Sequence, residues 1–141
     1  MAKTIRGIFI DLGGTFRIVE DNIPYKTAAR KRIAELTGTQ MEPEAFHTLI
    51  DQRYDGYRDW ALQYMCEAPE EMLWTRWLAP ECDRARLEKN AVELTYQLRC
   101  AKGERVVVPG GIETVKTRVS RGYKVGVISD LIGTIEIDEW L

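Results

Sequence analysis

The chain has 141 residues, with 45% hydrophobic and 30% charged side chains, a composition that suits one soluble globular domain. Its 20 basic and 22 acidic residues leave a formal net charge of -2, so no global field favours nucleic acid or an anionic membrane as partner. No apolar run approaches a membrane span, and Met1-Ala2-Lys3-Thr4 leads straight into a strand-like segment with no room for a signal peptide. Cys66, Cys82 and Cys100 are odd in number and lack a CxxC pair, so they read as reduced thiols of a cytoplasmic protein. The only histidine, His47, lies in a helical pattern with no local sign of a Cys-His pair.

The first element is Ile5 to Leu12, short, apolar and β-branched without strict alternation. That pattern predicts a strand covered on both faces, as in a parallel sheet. Gly13-Gly14 stops it. A long helical region follows, roughly 24 to 101. Pro24 opens a first helix with Ala29, Ile33 and Leu36 at helical spacing, and Gly38 ends it. Pro43 opens a second, whose stripe is Phe46, Leu49, Ile50, Tyr54, Tyr57, Ala61 and Tyr64. The aromatic stripe Tyr54, Tyr57, Trp60 and Tyr64 reads as bundle core before substrate pocket. Pro69 opens a third helix with Leu73, Trp74, Trp77 and Leu78, and Asp83 caps a fourth with Leu87, Ala91, Leu94 and Leu98. Four amphipathic helices with short connections predict a small bundle.

After Gly103 the pattern changes. Val106-Val107-Val108 is extended, and Pro109-Gly110-Gly111 is a turn. Ile112, Val115 and Val119 mark a short helix ended by Gly122, and Tyr123 to Ser129 is a second apolar strand. Helix followed by strand fits one arm of a parallel α/β sheet. Thr134 looks like the N-cap of another helix, which the sequence leaves after two turns. Two strands are few for a parallel sheet, so the expectation is a fragment, or a chain lacking its carboxy-terminal half.

Strand-Asp11-Leu12-Gly13-Gly14-Thr15, then a helical insert, then Gly122-Tyr123-Lys124-Val125-Gly126-Val127-Ile128-Ser129-Asp130, resembles the haloacid dehalogenase (HAD) superfamily over essentially the whole chain. The first segment is similar to that family's DxDGT-type motif, and the second to its strand-Ser/Thr motif. Pro109-Gly110-Gly111-Ile112 resembles the usual re-entry from cap to core. The fold that the resemblance implies is α/β: a HAD-like Rossmannoid core, residues 1–18 and 102–141, with an inserted helical cap, residues 19–101. The implied activity is Mg²⁺-dependent hydrolysis of a small phosphorylated metabolite. Asp11 is then the nucleophile, and Ser129 a donor to a phosphate oxygen. The Asp11 carboxylate and the Gly13 carbonyl would hold Mg²⁺.

The residues carry a reading of their own. A carboxylate at the carboxyl edge of a buried strand lies where open α/β sheets bind ligands, and it can attack a phosphoryl group. The glycines let the backbone turn sharply, bringing N–H groups of residues such as Gly14 near anionic oxygens. Thr15 can hydrogen-bond within the turn, and the Asp130 N–H can contact phosphate. Asp11 as a turn cap and Ser129-Asp130 as ordinary turn chemistry stay open as alternatives. Gly13 stands where the family's phosphatases carry a second Asp, the general acid and base. Its presence leaves two other readings open, a non-catalytic binding module and dehalogenase or phosphonatase chemistry. The family's third and fourth motifs, a Lys and an acidic Mg²⁺-binding segment, would lie beyond Leu141, and Lys116 and Lys124 sit in the wrong context to supply the lysine.

Overall fold

The computed structural model describes residues 5–129 and residue 135; the expected helix after Thr134 and the candidate Asp130 lie outside the described residues. The chain is mixed α/β and divides into two units. One comprises residues 5–21 and 104–129, the other residues 22–103. The sequence reading set its divisions after residues 18 and 101.

In the helical unit, α1 (Ile23–Thr37) starts where the Asn22 Oδ1 accepts the Tyr25 N–H at 3.1 Å. It ends at Gly38, whose φ of 72° suits a residue without Cβ and whose N–H reaches the Ala34 carbonyl. The Arg86 guanidinium then donates to the Leu36 and Glu35 carbonyls at 2.9 and 2.6 Å, satisfying acceptors that a helix end leaves bare. Pro43 opens α2 (Pro43–Tyr64), where its missing N–H costs no helical bond. The third helix departs from expectation: α3 (Glu70–Met72) runs directly into a π-helical segment, Leu73–Leu78. Asp83 caps α4 (Arg84–Cys100), its Oδ1 accepting the Arg86 N–H at 2.8 Å.

These elements enclose the hydrophobic core. Ile33, Phe46, Ile50, Tyr57, Leu73, Trp74, Leu78, Leu87 and Leu94 are almost wholly excluded from solvent. Trp74 is fully buried, and its indole N–H donates to Thr95 Oγ1 at 3.0 Å, so neither polar atom is left unpaired. Tyr57 stacks on Trp60 and meets Trp77 edge-on. Tyr64, placed on the same stripe by its spacing, is exposed.

The second unit holds two short strand pairs. β1 (Gly7–Ile10) runs parallel to β4 (Lys124–Val127), with Gly7 opposite Lys124 and Ile10 opposite Val127. β2 (Arg17–Glu20) runs antiparallel to β3 (Glu104–Val107), with Arg17 opposite Val107. Between β3 and β4 lies α5 (Gly111–Ser120). Two findings correct the sequence reading. β2 falls where no strand was expected. And β1 is not covered on both faces: its side chains alternate between half-buried and exposed, with Phe9 75% exposed, as in a sheet with one face open to water. Among the described residues of this unit only Arg17 and Gly111 are buried.

The Trp74–Thr95 bond makes a testable demand. Trp74→Phe leaves a buried hydroxyl unpaired and is expected to cost about 1–3 kcal/mol in a urea titration. Adding Thr95→Val to that variant should recover part of the loss, and a double variant weaker than either single one contradicts the pairing.

Candidate active site

Strand pairing sets the site. The Ile128 N–H donates to the Ile10 carbonyl at 3.1 Å, extending the parallel ladder one residue beyond β4. Asp11 and Ser129 therefore follow directly on the carboxyl ends of two neighbouring parallel strands. Asp11 is exposed and Ser129 half-buried. Ligands of open α/β sheets gather at that edge. Lys124 begins β4, five residues before Ser129 and so roughly 16 Å away along an extended strand. Lys116 lies on α5 and is exposed.

The turn after Asp11 is closed by its own backbone. The Gly14 N–H donates to the Arg17 carbonyl at 2.9 Å, and the Thr15 and Arg17 N–H groups donate to Leu12 at 3.3 and 2.9 Å. The Phe16 N–H is shared between the Asp11 and Leu12 carbonyls. The amides of Gly14 and Thr15 are thus spent inside the turn. Among the described residues the Leu12 and Gly13 amides are the ones of this turn with no backbone acceptor. The sequence reading missed them, because which amides a turn consumes depends on its closure and not on its glycine content.

Thr15 acts through its side chain instead. Its Oγ1 donates to Asp11 Oδ2 at 3.0 Å, fixing the carboxylate and leaving Oδ1 without a side-chain donor among the described residues. The two glycines differ. Gly14 has φ of 72°, a left-handed conformation that side chains resist. Gly13 lies outside that region, and a Cβ built on it meets nothing within 4 Å.

The re-entry turn is held against this loop. The Val108 N–H donates to the Phe16 carbonyl at 3.0 Å. Gly110, at φ of 77°, precedes α5, and Gly111 is packed so closely that a Cβ would stand 2.8 Å from Val107 Cγ1 and 3.1 Å from Phe16 Cε2.

Magnesium takes six hard oxygens and often draws only one or two from the protein, the rest coming from water and substrate phosphate. The Asp11 carboxylate and the Gly13 carbonyl are donors of that kind. The Gly13 carbonyl accepts no backbone hydrogen bond among the described residues. No group of three or more His, Cys, Asp or Glu gathers among the described residues. Two hard-oxygen donors of this kind fit an ion that draws the rest of its shell from phosphate and water.

The cysteines are free and dispersed: Cys66 is exposed, Cys82 half-buried, and buried Cys100 accepts the Tyr25 hydroxyl at 3.1 Å. His47 is buried in the helical unit beside Asp51. Among the described residues no helix is long and apolar enough to cross a membrane. No family model matches the chain, and neither a curated protein nor a solved structure matches it.

The contrast between the two glycines is directly measurable. Gly13→Ala is expected to change stability by less than about 0.5 kcal/mol. Gly14→Ala should cost about 1–2 kcal/mol, from its left-handed backbone. Equal effects in chemical denaturation would contradict the turn geometry.

Proposed function

We propose that this chain is a HAD-like hydrolase in which Asp11 attacks the phosphorus of a small phosphate ester. The observation that carries the reading is the pairing of β1 with β4, which brings Asp11 and Ser129 to the same edge of one parallel pair. In the attack an Asp11 oxygen bonds to phosphorus and the ester oxygen departs with its electron pair; water then cleaves the aspartyl phosphate. The Thr15 hydroxyl holds Oδ2, so Oδ1 is the attacking atom. The Ser129 hydroxyl and the Leu12 and Gly13 amides are the donors to the phosphate oxygens, and the Asp130 N–H is a further candidate. Mg²⁺, held by the Asp11 carboxylate and the Gly13 carbonyl, would offset the repulsion between carboxylate and phosphate.

Gly13 limits the chemistry. It has no proton to give to the leaving group, and general acid help is typically worth about 10²–10⁴ in rate. The reading therefore favours substrates whose leaving group needs no protonation, such as an aryl phosphate. The same residue favours a second reading, a module that binds phosphate without turning it over. Carbon–halogen or carbon–phosphorus cleavage is separated by halide release from a panel of 2-haloacids and by phosphonate hydrolysis.

The test is hydrolysis of a generic aryl phosphate with Mg²⁺ by a complete chain, one that carries the third and fourth motifs expected beyond Leu141. We expect Asp11→Asn to fall to background, and equal turnover by that variant sinks the nucleophile assignment. The space at Gly13 allows a gain-of-function arm. Gly13→Asp should raise hydrolysis of an alkyl phosphate by about 10²–10⁴, with little gain on the aryl ester. A binding module predicts neither.

A further inference from the structure

We propose that His47 is a proton-operated latch in the helical unit: its neutral imidazole closes a His47–Asp51–Lys102 chain between α2 and the end of α4, and its protonation opens that contact. His47 Nδ1 lies 3.2 Å from Asp51 Oδ2, and the Lys102 Nζ lies 2.5 Å from Asp51 Oδ1. One carboxylate thus faces both the imidazole and the Lys102 ammonium. The His47 side chain is only 6% exposed, whereas those of Asp51 and Lys102 are 41% and 44% exposed. His47 Nδ1 faces Asp51, while Nε2 is buried with no hydrogen-bond partner among the described residues. A bare acceptor nitrogen is tolerable there. A proton added to it makes a buried cationic donor with nothing to receive it.

The charges around the ring divide. Asp51 and Glu44, both on α2, favour the protonated form, while Arg30 on α1 and Lys102 beyond α4 oppose it. Burial outweighs each of them and holds the imidazole below its ordinary range near 6.5. The sign follows from linkage. A histidine depressed in the closed form takes up its proton only when the ring swings into water. Closure is therefore complete above about pH 6.5 and is lost as the pH falls below it. Lys102 stands two residues before β3, so the contact that opens lies close to where the chain leaves the helical unit.

His47 is the only histidine in the chain, so its ring resonances need no assignment among rivals. The experiment is amide hydrogen exchange at pH 7 and pH 5, corrected for intrinsic rates, together with an NMR titration of that ring. We expect opening around residues 46–51 and 98–102 to rise by up to about 25-fold at pH 5, the limit for a proton taken up only by the open form. Amides from Leu87 to Leu94 in the buried part of α4 should keep their protection. His47→Gln should abolish the pH dependence. Lys102→Met, which removes an exposed cation facing the ring, should shift its titration to higher pH, and this variant serves if His47→Gln does not fold. Unchanged protection at pH 5, loss spread evenly over the whole helical unit, an unmoved titration in Lys102→Met, or the same pH dependence in His47→Gln each overturns the latch.

Discussion

The parallel register of β1 against β4 is the constraint on which the candidate site depends. It joins segments from near opposite ends of the described chain, with the whole helical unit inserted between them. Contacts of such long sequence separation are entropically expensive to close. The register is strict because a one-residue slip turns every side chain to the other face. A slip here would carry Ser129 away from the edge that Asp11 occupies. The Ile128 N–H to Ile10 bond is therefore the local interaction that matters most, since it fixes the register at the end where the chemistry would occur.

The two units are stabilised differently. The helical unit holds all of the buried apolar cluster and pairs its charges densely, as in Arg30–Glu44, Arg32–Glu93, Arg53–Glu81 and Arg84–Glu88. Exposed pairs of this kind contribute little each, and the core supplies the stability. The sheet unit leaves Ile5, Phe9, Val127 and Ile128 largely exposed. What orders its loops is backbone closure: the turn from Leu12 to Arg17, and the Val108–Phe16 bond that ties the re-entry turn to it. Gly111 belongs to that arrangement, because the space a Cβ would need is taken by Val107, Val108 and Phe16.

Much of this was legible in the residues. Pro24, Gly38, Pro43 and Asp83 mark helix ends because their chemistry is local, and the structure uses each of them that way. The strand from Gly7 to Ile10 and the one from Lys124 to Val127 were visible as apolar β-branched runs. β2 was not. Its four residues, Arg17-Ile18-Val19-Glu20, are too few to display a period, and they become a strand only because β3 is there to pair with them. The π-helical winding of Leu73–Leu78 was equally hidden, since Leu73, Trp74, Trp77 and Leu78 fit an ordinary helical stripe. The placement of Asp11 and Ser129 at the ends of two apolar strands was readable from position. The Thr15 bond to Oδ2 and the consumption of the Gly14 and Thr15 amides were not, because both depend on how the turn closes.

At the centre of the candidate site is a carboxylate at a strand end, held by a neighbouring hydroxyl and with one oxygen that has no side-chain donor among the described residues. The most direct measurement is a search for phosphate bound covalently to Asp11. The complete chain, continued beyond Leu141, is mixed with an aryl phosphate and Mg²⁺, quenched in acid, and mapped by peptide mass spectrometry. The account predicts a hydroxylamine-labile phosphate on the peptide containing Asp11, absent from Asp11→Asn. Phosphate on a different residue, or hydrolysis with no labelled Asp11 at any quench time, would contradict it.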